Sequence, residues 1–245
     1  MHFTYHLKAS LLCFLLGLPL IATAQAAQPA QSSLKVPDTL EQRLKACTAC
    51  HGAEGRAGTD GFYPRIAGKP AGYLYNQLLN FREGKRAYPA MRYMVAHMSD
   101  AYLKEIAEYF ASQHPPYAAP QASDANAVLL ERGRQLVAQG DKSRNLPACV
   151  SCHGKSMTGL APFMPGLVGL PRDYLIAQLG AWQTGSRKAH KPDCMQQIAG
   201  KLNPQDIAAV SSWLAAQTVP GDSIAPAMTL TESAQLPLKC GSLSQ

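Results

Sequence analysis

Apolar residues recur at helical spacing through most of the chain and nowhere alternate over the length of a strand. Leu103, Ile106, Ala107 and Phe110 form one such stripe, and Ser99 stands before it as an N-cap. Asn203 stands in the same way before a stripe that runs to Leu214. Asp38, with Glu41 three residues on, has the form of a capping box and predicts a helix reaching Cys47. Asp124 predicts another, through Gln139. Pro70 and Pro171 suit first turns of two further helices, and Gly84 and Gly185 suit their C-terminal stops. The pattern predicts an all-α protein.

The helical pattern occurs twice. Pro64, Gly68, Pro70, Tyr73, Gln77, Phe81, Gly84 and Arg86 recur in order as Pro165, Gly169, Pro171, Tyr174, Gln178, Trp182, Gly185 and Arg187. The segment MSDAYLKEIAEYF matches LNPQDIAAVSSWL in the same frame. A solenoid needs more copies, so the repeat predicts two similar lobes, at 36–113 and 124–217. Between them His114–Ser123 reads as a linker stiffened by proline, and 218–245 reads as a tail.

Residues 1–24 read as a cleavable export signal. Lys8 precedes the apolar stretch Leu11–Ile21, and Ala22-Thr23-Ala24 offers a small-residue cleavage site. The stretch is short for a bilayer span, which takes about 20 residues. Cys13 follows the bulky Leu12, which argues against a lipid-modified cysteine. Export predicts a periplasmic protein that can hold disulfides. The formal charge of +7 is weak evidence for nucleic acid, which an exported protein rarely meets, and no nucleic-acid partner is expected.

The chemistry lies in a pentapeptide that also occurs twice, CTACH at Cys47–His51 and CVSCH at Cys149–His153. One CxxC would fit a redox dithiol. Two copies, each followed by histidine, point to c-type haem: Cys47 and Cys50, then Cys149 and Cys152, as thioether attachments, and His51 and His153 as proximal iron ligands. A zinc site needs four well-placed ligands, and adjacent Cys and His would be strained around one ion. Met91 and Met195 are the candidate distal ligands, because both stand in the same frame before the last helix. Met94 and Met98 align with Ile198 and Leu202 and read as core, as do Met157 and Met164. His97 and His190 have no counterpart in the other copy, which favours surface or structural roles.

With CTACHGAEG, the stretch YPRIAGKPAGYLYNQLLNFREGKR and Met91 before a closing helix, the chain resembles a class I cytochrome c. Two such units in tandem resemble the dihaem c4-type cytochromes over about 38–217. The resemblance implies two helical lobes carrying two covalent haems and passing electrons in the periplasm. It implies redox partners: a cytochrome complex or dehydrogenase upstream, a terminal oxidase downstream, and in some members attachment to the membrane face. It also implies that Pro64 and Pro165 offer carbonyls to the proximal histidines and that Arg65 reaches a haem propionate, a contact for which the second copy has Gly166. Tyr73, Tyr174, Gln77 and Gln178 are implied to pack near haem edges, with ordinary helix packing as the other reading.

The chain departs from that pattern at Cys194, next to Met195, and at Cys240 in the tail. Either the two form a disulfide, or Cys194 replaces Met195 as a thiolate ligand. The first fits an electron carrier. The second fits an enzyme, such as a dihaem thiosulfate dehydrogenase; a peroxidase or a dehydrogenase subunit are further readings. Basic residues cluster before both distal methionines: Arg82, Lys85, Arg86 and Arg92, then Arg187, Lys188 and Lys191. They read either as a solvated face or as a docking face for an acidic partner.

Overall fold

The structure, a computed structural model, describes residues 36–58, 61–221 and 223–243. The export signal at 1–24, with Cys13, lies outside the described residues. Among the described residues no helix is long and apolar enough to cross a membrane.

The first lobe is built from α1 (Leu40–Arg43), α2 (Lys45–His51), α3 (Ala71–Arg82), α4 (Pro89–Val95) and α5 (Asp100–Ala111). The second contains α6 (Ala127–Gln139), α7 (Val150–His153), α8 (Arg172–Gln183), α9 (Cys194–Ala199) and α10 (Pro204–Ala215). A short α11 (Leu230–Ala234) lies in the tail. Ser99 caps α5, and Asn203 caps α10 in a capping box with Asp206. Gly84 and Gly185 both take φ of +74° just past α3 and α8, a conformation that suits glycine and ends each helix.

Two predicted caps shift inward. Thr39, not Asp38, caps α1 by accepting from the Gln42 N–H at 3.3 Å, while Asp38 pairs with Arg43 at 2.6 Å. Asn126, not Asp124, caps α6 by accepting from the Leu129 N–H. In each case several cap-forming residues stand close together, and the one bordering the first helical turn takes the role. The strand pattern had a small exception as well. Gly159–Leu160 (β1) pairs antiparallel with Met164–Pro165 (β2), strands too short for alternation to register in the sequence.

Each lobe has its own core. In the first, Leu74, Leu79 and Phe81 of α3 pack with Leu103, Ile106 and Phe110 of α5. In the second, Leu136 and Val137 of α6 pack with Ile207, Val210 and Leu214 of α10. The second crossing is close at Gly133, where a Cβ would stand 2.2 Å from the Ala209 carbonyl oxygen.

Backbone and side chains join the lobes. The Ala87 N–H donates to Ser186 O and the Lys188 N–H to Lys85 O, both at 2.7 Å. These bonds flank an antiparallel bridge between Arg86 and Arg187. The tail returns across both lobes. The Met228 N–H donates to Ala161 O at 2.8 Å, and the Asn76 amide of α3 donates to Ser242 O at 3.0 Å. A disulfide joins Cys194 and Cys240, with Cα atoms 5.2 Å apart.

Candidate haem sites

A cavity of about 800 Å³ runs through both lobes, and its wall collects the candidate site residues. In the first lobe the wall includes Cys47 and Cys50 of α2, His51 at its last position, and Met91 of α4. In the second it includes Cys149, just before α7, then Cys152 and His153 within α7, and Met195 of α9. Helical spacing carries both CxxCH cysteines and the histidine through a single turn, so all three reach one wall.

Both imidazoles are held alike. His51 Nδ1 lies 2.9 Å from Pro64 O, and His153 Nδ1 lies 2.7 Å from Pro165 O. A carbonyl only accepts, so Nδ1 carries the proton and Nε2 keeps its lone pair for a metal. Burial pushes both rings below the ordinary histidine value, against the upward pull of the proline carbonyls. Both are therefore neutral near pH 7, as a ligand must be. Burial also pushes the Cys149 thiol up to about 12, an environment that suits an uncharged thioether.

The deeper wall is polar in a particular way. Arg86 donates to Gln77 of its own lobe and to Tyr174 and Gln178 of the other, at 2.7–3.2 Å. Arg187 donates to Gln178 of its own lobe and to Tyr73 and Gln77 of the other. Each guanidinium also stacks on an aromatic ring, Arg86 on Phe81 and Arg187 on Trp182. Arg187 is buried. These acceptors are all neutral, and among the described residues neither arginine has a carboxylate partner. Among the described residues the buried Trp182 Nε1–H has no acceptor. Cationic donors set in an apolar wall fit a group that is largely hydrophobic and carries carboxylates, as haem does. Two CxxCH motifs, each with a neutral histidine oriented by a proline carbonyl, complete the fit.

Several expectations change. Arg86 and Arg187 belong to the seam between the lobes, not to a solvated docking face. Arg82 is likewise engaged, with Met98 O and Asp100. Arg65 lines the cavity, and its donors hold the carbonyls of Ala67, Pro115 and Pro116, while the guanidinium covers the Tyr117 ring. It clasps the linker, because three carbonyls converge where its buried side chain ends. Met98 packs on the first core and Met157 lies in the second. Met94 is 37% exposed and lines the cavity rather than packing in the first core. Met164 is buried and also lines the cavity. His97 is exposed and His190 contacts Lys85; neither is on the cavity wall. Lys69 was not singled out in the sequence, yet it is buried on that wall and donates to Gly166 O of the other lobe at 2.8 Å. Its signal was a lysine where the repeat places Leu170.

Residues 41–110 match the family model described as "Cytochrome C oxidase, cbb3-type, subunit III". The chain is 37% identical over 172 residues to a protein of Thiomonas intermedia named "Thiosulfate dehydrogenase electron acceptor", covering 70% of this chain and 78% of that one. It is 34% identical over 206 residues to a cytochrome c4 of Pseudomonas aeruginosa, covering 83% and 96% respectively. The crystal structure of reduced cytochrome c4 from Pseudomonas stutzeri superposes with a TM-score of 0.63 at 29% identity, over 73% of this chain and 96% of that one.

Proposed function

This chain belongs to the cytochrome c4 family of dihaem electron-transfer cytochromes, and we propose that it is an exported carrier whose two covalent haems each take one histidine and one methionine. Cys47 and Cys50 would attach the first haem, with His51 and Met91 on its iron. Cys149 and Cys152 would attach the second, with His153 and Met195. The haem supplies one-electron exchange at iron.

The residues set the conditions for that exchange. Pro64 and Pro165 fix the imidazole rings through Nδ1–H and raise the basicity of Nε2. A thioether is a soft ligand that favours ferrous iron and raises the potential. With a histidine and a methionine both holding each iron, no place would remain for substrate, which is why an electron carrier and not an enzyme fits these sites. The cationic seam would offer donors to the haem's carboxylates, and the apolar wall would keep water from the group. The observation that carries this reading is the pairing on one cavity wall of each His–Pro carbonyl bond with its own lobe's methionine.

We place the protein in the periplasm, between a dehydrogenase or cytochrome complex upstream and a terminal oxidase downstream, with peripheral association at the membrane face. Similarity to a protein named for accepting electrons from thiosulfate dehydrogenase supports a dehydrogenase of reduced sulfur compounds as the donor. A thiolate ligand from Cys194 lacks support, because that sulfur is bonded to Cys240.

Spectroscopy of the purified holoprotein tests the ligand set. The ferric protein is expected to show the far-red thioether–iron band at an intensity equal to two haems per chain. Met91→Lys and Met195→Lys are each expected to remove half of it. A band unchanged in either variant, or a thiolate-type EPR signal in the native protein, would overturn the assignment.

A further inference from the structure

Lys69 stands at the seam with a charge that the electron-transfer reading does not use. It is 4% exposed, and its ammonium donates to Gly166 O at 2.8 Å. Among the described residues no carboxylate pairs with it. An unpaired buried ammonium is costly, and one that persists acts over distance because little water screens it.

Its position directs that field to one site. Gly166 follows Pro165, whose carbonyl accepts from His153 Nδ1 at 2.7 Å. The loop has little room to move, since a Cβ at Gly166 would stand 2.4 Å from Thr158 O. The first-lobe ammonium is thus fixed one peptide away from the group that orients the second lobe's proximal histidine. The relation is not reciprocated. The repeat places Leu170 where Lys69 stands, so the second lobe sends no matching charge to Pro64 and His51.

We propose that Lys69 is a positioning residue acting across the seam, raising the reduction potential of the second-lobe haem and leaving the first nearly untouched. A positive charge near the iron favours the ferrous state, which carries one more electron. The inference rests on His153 as the proximal ligand of that haem.

The test compares Lys69→Met, Lys69→Gln and Lys69→Arg in the full holoprotein. Burial and the neighbouring Arg65 push Lys69 down to about 7, so measurements are made at about pH 6, where the ammonium keeps its proton. The reduced-to-oxidised ratio of each haem at a fixed ambient potential is followed through the separate methyl resonances of Met91 and Met195. Met and Gln are expected to lower the second haem's ratio about tenfold, about 59 mV for one electron. The first haem's ratio should change less than about twofold, and Arg should restore the second. Gln keeps a donor for Gly166 O, so a purely structural role predicts that Gln behaves as Lys. That result, or an equal shift of both haems, or no shift in either, overturns the proposal. If the native protein lacks a second covalent haem, the ligand reading fails instead; if both haems are present and the second ratio does not move, this inference alone fails.

Discussion

Asp206 gathers more contacts than its place in the first turn of a helix requires. Arg132 Nε reaches one oxygen at 3.1 Å and Arg144 Nη1 the other at 2.7 Å, and the carboxylate also accepts from the Asn203 N–H. Burial alone would raise its pKa, but the Arg144, Asn203 and Arg132 contacts outweigh it and hold the carboxyl below the usual range. A depressed carboxyl contributes stability that is complete above its unfolded value, near about 4, and lost as pH falls through the folded one. Asp206→Asn is therefore expected to destabilise the protein by about 2 kcal/mol at pH 7 in urea unfolding, since it takes a buried carboxylate from Arg132 and Arg144 and leaves them only Asp141. The loss should shrink as the pH is lowered past about 4, where the wild-type carboxylate takes up protons too. The sequence shows Asn203 as a cap because a cap is a local device. It does not show the two arginines, which arrive from positions far away in the chain. Arg86 and Arg187 read as solvated for the same reason: in sequence a guanidinium looks exposed, and most of the side-chain acceptors that engage it here come from the other lobe.

Among the elements, the contact of α6 with α10 depends on one missing side chain. A Cβ at Gly133 would stand 2.2 Å from Ala209 O and 2.8 Å from the Trp213 Cβ. Neither neighbour is the far end of a flexible chain, so the helices themselves must separate. Gly133→Ala is expected to destabilise the second lobe by about 2 kcal/mol despite the gain in helix propensity, read by thermal or denaturant unfolding. The helices themselves were legible because apolar periodicity and the Gly84 and Gly185 stops are properties of short segments. The residues that line the cavity were legible because CxxCH is a local motif and the repeat put both methionines in register. The caps at Thr39 and Asn126 were missed by one or two residues, since several neighbouring side chains can take that role. The two-residue strands β1 and β2 fall below any periodic signal.

At the scale of the whole molecule, the tail is the feature that the repeat does not supply. It pairs with Ala161, reaches Asn76 of the first lobe and is tied to α9 by the disulfide beside Met195. The 46-residue separation of the two cysteines corresponds to about 4 kcal/mol of loop-closure entropy removed from the unfolded chain. Cys240→Ser is expected to lower unfolding stability by up to about that amount and to make 218–243 sensitive to limited proteolysis. If the far-red band of the second haem persists while the tail is cleaved, the tether serves stability and not ligation.

The seam has a formal property of its own. Arg86 reaches Tyr174 and Gln178, while Arg187 reaches Tyr73 and Gln77. Residue i meets j′ and j meets i′, the isologous relation that ordinarily joins two identical subunits about a two-fold axis. One chain therefore contains the contacts of a symmetric dimer made permanent by a linker. Covalent continuity removes the need for identity, and the halves have been free to diverge without risk of mispairing. Lys69 facing Leu170's lobe, and a tail whose disulfide fastens it to the second half, are the forms that divergence has taken.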